Sequence, residues 1–215
     1  MATLAVPPDA IETLADQLER LGNIPSERIR WQPYPGTATI EDMLEFRRRT
    51  GRSCELIDGI LVEKAMGWEE AKLAGLLVTY LNVFILPRKL GSVTCPDGPY
   101  RLSRRLVRYP DVAFIQRKRL PGGKKPAKAV PEIVPNLAVE ILSKGNTVGE
   151  MERKRREYFK AGVELVWIVD PVARTVRVYT GPRAFTTLGE GDTLDGGKVL
   201  PGFTLSVRQW FADAD

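Results

Sequence analysis

Apolar residues recur along this chain with two periods, one of three to four residues and one of two, and the alternation between them outlines an α/β protein. Ile11, Leu14, Leu18 and Leu21 share one side of a helix expected over residues 10–21, with Asp9 placed to cap it after Pro7-Pro8. Thr39 is placed to cap a short helix through Met43, Leu44 and Phe46, which Gly51 ends. Cys54-Glu55-Leu56-Ile57 and Ile60-Leu61-Val62 flank Asp58-Gly59, the sequence of a tight hairpin, with Glu55 on its first strand. Leu73, Leu76, Leu77, Tyr80, Leu81 and Phe84 predict a long core helix over residues 68–86, closed by Pro87. Short strands are expected at 92–94, 100–103 and 111–116, the last directly after Pro110. A loop rich in Gly, Pro, Lys and Arg then covers residues 117–135. Residues 136–143 form a buried strand, 149–161 a helix, 164–170 a second buried strand and 175–180 its hairpin partner.

No repeat and no linker divides these elements, and 215 residues suit one domain with a real core. The expected organisation is a helical extension over residues 1–50 packed on a domain of residues 51–215. With 43% apolar and 27% charged residues the composition is that of a folded globular chain, which rules out a disordered reading. Two cysteines, Cys54 and Cys95, are too few for a disulfide framework, and the absence of histidine removes His/Cys zinc patterns. It also removes the usual Ser/His and Cys/His nucleophile pairs, so any catalysis must run on carboxylates, lysines or a metal. The N-terminus has no signal-peptide pattern and the unbroken apolar stretches fall short of a membrane span, so a cytoplasmic protein without a membrane partner is expected.

Charge is unevenly placed. The whole chain carries +5, yet residues 101–128 hold ten Lys and Arg against the single acid Asp111. Such an excess suits a polyanion, with Arg104, Arg105, Arg108, Lys124, Lys125 and Lys128 as candidate nucleic-acid contacts; a solvated loop is the plainer alternative.

Candidate chemistry gathers in three places: Tyr109-Pro110-Asp111-Val112-Ala113-Phe114, then Asn136-Leu137-Ala138-Val139-Glu140-Ile141-Leu142-Ser143, then Lys154 and Tyr158 one turn apart on the following helix. A carboxylate inside Leu-Ala-Val-Glu-Ile-Leu is costly to bury unless paired, protonated or bound to a metal. If the two strands pair, Asp111 and Glu140 converge, as a hard cation requires.

These motifs resemble the Uma-two family of restriction-endonuclease-like proteins, in the PD-(D/E)XK nuclease superfamily. The likeness rests on the Pro-Asp dipeptide, the Glu within an apolar strand ending in Leu-Ser, the Lys-x-x-x-Tyr helix, and Ala161-Gly162-Val163-Glu164 leading into Val166-Trp167-Ile168-Val169-Asp170-Pro171. Glu55-Leu56-Ile57-Asp58-Gly59 and Leu200-Pro201-Gly202-Phe203 extend it from about residue 55 to 211. The resemblance implies a mixed β-sheet flanked by helices, an α+β form of the α/β class, with a Mg²⁺ or Mn²⁺ phosphodiesterase site held by Asp111 and Glu140. The Ile141 carbonyl is a further candidate ligand. It also implies nucleic acid as partner, with DNA expected and a homodimer allowed. Two departures matter. The superfamily's lysine lies two residues after the glutamate, where this chain has Leu142. Lys144 lies ~13 Å along the strand from Glu140, whereas Lys154 occupies the family's lysine position and is the expected catalytic lysine. Many members carry histidine near the start of the long helix; Glu70 is the candidate acid there, and Glu70 or Glu55 would complete the metal shell. Two other readings remain: a catalytically inactive nucleic-acid-binding or scaffold module, favoured by Leu142, and a hydrolase of small phosphodiesters that has no need of the basic loop.

Overall fold

The computed structural model describes residues 13–65, 67–124 and 126–215. Expectations for residues 10–12, the Asp9 cap and Lys125 lie outside the described residues. The first described helix, α1 (Leu14–Leu21), begins at a Thr13 cap whose side chain accepts from Asp16 N–H, and ends on Gly22 in the left-handed region. The same arrangement, Thr39 with Asp42, starts α2 (Ile40–Thr50), and Gly51 ends it as expected.

Between these helices lies β1 (Ile29–Arg30), so the stretch before residue 51 is not wholly helical. It pairs with β3 (Ile60–Glu63), which forms the Asp58-Gly59 hairpin with β2 (Cys54–Ile57). Both turn residues have positive φ, as the tight turn demands. With β5 (Tyr100–Ser103) and β6 (Leu106–Arg108) these strands make a five-stranded sheet in the order β1-β3-β2-β6-β5. Leu56, Leu61 and Val107 pack under Met43 and Phe46 of α2, while Leu21 of α1 packs with Ile57, Ile60 and Val62.

The main sheet has six strands: β4 (Gly91–Thr94), β7 (Val112–Gln116), β8 (Leu137–Ile141), β9 (Leu165–Asp170), β10 (Thr175–Tyr179) and β11 (Phe185–Leu188), in the order β11-β10-β9-β8-β7-β4. All neighbours are antiparallel except β8 and β9, which α4 (Val148–Ala161) connects as a parallel crossover. A small hairpin of β12 (Thr193–Gly196) and β13 (Leu200–Ser206), then α5 (Val207–Ala214), complete the described chain.

Alternation along β8 separates two layers. Leu137, Val139 and Ile141 join the large core formed with Leu73, Leu77, Leu81 and Ile85 of α3 (Trp68–Arg88), Trp210 of α5 and Phe203. Ala138 faces the opposite way, into the layer of Tyr158 and Met151 from α4. Glu140, of the same parity as Ala138, therefore points toward α4. α3 continues past Pro87 to Arg88, a correction to the expected end. A proline in the last turn removes only one ladder bond, and Lys89 closes the helix in the left-handed conformation. By length and composition α3 is also apolar enough to cross a membrane; its buried face lines the main core.

Candidate functional site

Asp111 directly precedes β7, whose Val112 stands opposite Val139 of β8, so one further step in that antiparallel register sets Asp111 against Glu140. The ladder holds it there: Asp111 N–H donates to Val139 O at 2.9 Å, and Ile141 N–H donates to Asp111 Oδ2 at 2.7 Å. The other oxygen, Oδ1, lies 2.8 Å from Lys64 Nζ. Oδ1 has no aligned hydrogen-bond donor, so this contact is an ion pair, and at that distance charge attraction does not need alignment. Lys64 leaves the end of β3, and its ammonium also donates to Pro96 O at 3.1 Å.

Glu140 is held by α4. Lys154 Nζ donates to Glu140 Oε2 at 2.9 Å, and Tyr158 OH, one turn on, donates to Oε1. Lys154 also lies 3.3 Å from Glu55 Oε1. Glu55 in turn takes Arg108 Nη1 at 2.6 Å and Tyr109 N–H at 3.2 Å, and Arg108 continues to Glu157. The smaller sheet thus brings Glu55, Arg108 and Lys64 against the Asp111 and Glu140 of the main sheet, with α4 supplying Lys154, Glu157 and Tyr158 between them.

Every member of this cluster except Glu157 is buried or nearly so, which decides its charges. Burial raises the Glu140 carboxyl, Lys154 pulls it down, and the nearby Asp111 and Glu55 charges push it up again, for a net rise. Burial also acts to raise Glu55, but Lys154, Arg108 and the Tyr109 N–H outweigh it and bring the carboxyl down to about 2. Lys154 loses affinity for its proton through burial and gains more from Glu140 and Glu55, so it stays a charged ammonium. Burial and the Glu140 charge push the Tyr158 phenol well up, which keeps it a proton donor. This chemistry suits a fixed cation and hydrogen-bond donors around two carboxylates, not a lysine general base.

The structure brings together Asp111, Glu140, Lys154 and Glu55. Glu70 is the N3 residue of α3, and its Oε2 accepts from Gly67 N–H at 2.8 Å, closing the helix start. Lys144 is exposed, whereas Lys154 is 3% exposed. Arg108 corrects an expectation: counted among the polyanion contacts, it is fully buried between Glu55 and Glu157. The local charge excess shrinks for the same reason, because acids from elsewhere in the chain meet it. Arg101 and Lys128 both pair with Glu132, and Arg119 with Glu164. Arg105 is exposed and donates to the carbonyls of Gly36 and Asp58, while Arg104 and Lys124 are exposed.

Sequence reasoning passed over Lys64, Glu157 and the part played by Tyr158. A signal existed for Lys64: it lies two residues beyond Val62, on the parity of a buried strand face, where a lysine needs an anion.

Among known proteins, the profile of the Uma2 family, described as "Putative restriction endonuclease", matches residues 40–208. A crystal structure from Anabaena variabilis, described as "a putative nuclease belonging to DUF820", superposes with a TM-score of 0.69, covering 82% of this chain and 99% of that one. At 18% identity that likeness shows the fold. No curated protein matches the chain. The family match runs from the first turn of α2 to the start of α5 and takes in every residue of the buried cluster, and the chain belongs to the Uma2 family.

Proposed function

We propose that this protein is a metal-dependent nuclease that hydrolyses phosphodiester bonds in nucleic acid, DNA being the expected substrate. The observation that carries this reading is the opposition of Asp111 and Glu140, two buried carboxylates on neighbouring strands and close enough for one charge to raise the other's pKa. Evolutionary retention of such a costly pair in a core needs a cation or a reaction to explain it. Among the described residues no group of three or more His, Cys, Asp or Glu side chains is placed to hold a metal. Mg²⁺, however, takes one or two carboxylates and keeps several waters, so Asp111 and Glu140 fit it as donors.

Bound there, Mg²⁺ or Mn²⁺ supplies an acidified water and neutralises charge developing on the phosphate. Asp111 and Glu140 orient that cation. Tyr158 fixes the Glu140 carboxylate, and Lys154, permanently charged, holds Glu140 and Glu55 in place and offers positive charge to the phosphate in the transition state.

The test is cleavage of mixed DNA and RNA with and without Mg²⁺ or Mn²⁺, beside Asp111→Asn and Glu140→Gln, with calorimetry of metal binding. Divalent-dependent cleavage that both variants lose supports the reading. Wild-type protein that neither binds the ions at millimolar concentration nor cleaves overturns it.

A further inference from the structure

We propose that a pocket beside α4 is a phosphate-binding subsite that extends the carboxylate site across the main sheet; assigning its phosphate to a nucleic-acid strand rests on the nuclease reading above. A cavity of about 160 Å³ opens between α4 and strands β8 to β10, and its lining includes Leu142, Met151, Arg155, Arg177 and Tyr179. The register links it to the site. Glu140 stands opposite Ile168, and Ile168 opposite Arg177. Residues directly opposite on neighbouring strands share a face, so Arg177 rises on the Glu140 face two strands away, roughly 10 Å between Cα atoms at ~4.8 Å per strand.

Arg155 enters from α4, one residue after Lys154, and its guanidinium lies over the Tyr179 ring at 4.9 Å. Its Nε is buried without a hydrogen-bond partner. Buried donors are almost always satisfied, and an unpaired one is the kind of group that an anion satisfies. Among the described residues neither Arg155 nor Arg177 has an ion pair, and the nearby acid Glu152 faces Arg156 at 3.7 Å. The other polar groups of the lining are already engaged: Ser143 Oγ donates to Asn146 Oδ1 at 3.0 Å, and Thr147 Oγ1 donates to Gly22 O and accepts from Glu150 N–H. What remains uncommitted is two guanidinium groups in a concave site, which suits a phosphate group.

The test uses the full chain in EDTA, with a short fluorescein-labelled single-stranded DNA followed by anisotropy across a salt series, and inorganic phosphate followed by calorimetry. Arg155→Gln/Arg177→Gln should weaken DNA binding by ~10-fold or more, as loss of charge-assisted bonds implies. It should also flatten the slope of log K against log salt by ~0.7 for one phosphate released. Arg183→Gln/Lys198→Gln, which removes equal charge from exposed hairpin turns outside the pocket, should change affinity by less than ~3-fold. Arg177→Gln alone reports if loss of the Tyr179 stacking unfolds the double variant. Equal losses in pocket and control variants overturn the subsite and leave the nuclease reading untouched. Arginine-dependent binding of inorganic phosphate without DNA binding upholds the pocket and removes the nucleic-acid reading. Wild-type protein that binds neither overturns both.

Discussion

Lys64 Nζ lies 2.8 Å from Asp111 Oδ1, so the carboxylate oxygen that the strand ladder leaves open already faces a cation. A divalent ion using that oxygen has to displace the ammonium or share the carboxylate with it. Lys64→Met keeps much of the side-chain stem and removes the charge, so it should tighten Mn²⁺ binding in calorimetry by ~10-fold, about one close charge pair at the effective dielectric near a protein surface. Unchanged or weaker affinity would show that Lys64 does not compete for the ion.

Lys154 and Lys144 separate by burial, and their alanine variants should separate by activity. Removing a transition-state contact typically costs ~10²–10³-fold in turnover, so Lys154→Ala should nearly abolish cleavage, whereas exposed Lys144→Ala should have little effect. Lys154→Ala also leaves Glu140 and Glu55 short of a cation, a loss of roughly 3–5 kcal/mol when a buried pair is broken. Turnover must therefore be normalised to the folded fraction from circular dichroism. An exchange of the two phenotypes would overturn the Lys154 assignment.

The Glu140 carboxyl is raised because burial and its acidic neighbours together outweigh Lys154. Its charge is thus a net cost to the metal-free fold at neutral pH. Glu140→Gln should melt at or above the wild-type temperature while losing metal binding, the trade expected where function keeps a strained group. A fall of several degrees would mean that the Lys154 bond is worth more than the burial and repulsion combined.

Much of this architecture was legible beforehand because local chemistry and tertiary packing agree. Asp58-Gly59 turns the hairpin, Thr39 caps α2, and Asp111 and Glu140 stand out as acids among apolar strand residues. Arg108 could not be read this way, since its partners Glu55 and Glu157 lie 53 and 49 residues away in the chain. Its segment looked like surface because a run of cations shows no sign of the acids that fold against it. β6 has three residues, too few to display a period, and β11 shows Phe185, Thr186 and Thr187 all exposed, so no alternation marked it. The division into two sheets followed from those missed strands.

Acid should unfold the protein partly through Glu55. Its carboxyl is brought down to about 2 from 4.5 in the folded state. A depressed carboxylate contributes stability that is complete above the unfolded value and disappears as pH falls through the folded one, here between about 4.5 and about 2. Denaturant midpoints measured over that window should fall for the wild type and fall less for Glu55→Gln. Parallel curves would place the titrating groups elsewhere.

The basic stretch gives the last test, and the ion pairs sharpen it. Lys128 already shares Glu132 with Arg101, so reversing Lys128 breaks a pair as well as removing surface charge. Arg104 and Lys124 are exposed, which makes them the cleaner probes. If this surface holds nucleic-acid backbone, Arg104→Glu and Lys124→Glu should each weaken binding to about the same extent on every sequence, because phosphate contacts position a strand without reading it. Each should also flatten the dependence of log K on log salt by up to ~0.9 on duplex DNA, one phosphate's share of counterion release. Arg108→Gln should behave differently. Its guanidinium is buried, so its loss should lower the melting temperature by uncoupling Glu55 from Glu157 without any such change in salt slope for the protein that remains folded. A salt slope unchanged by Arg104→Glu and Lys124→Glu would assign the stretch to structure alone and leave the pocket beside α4 as the phosphate contact.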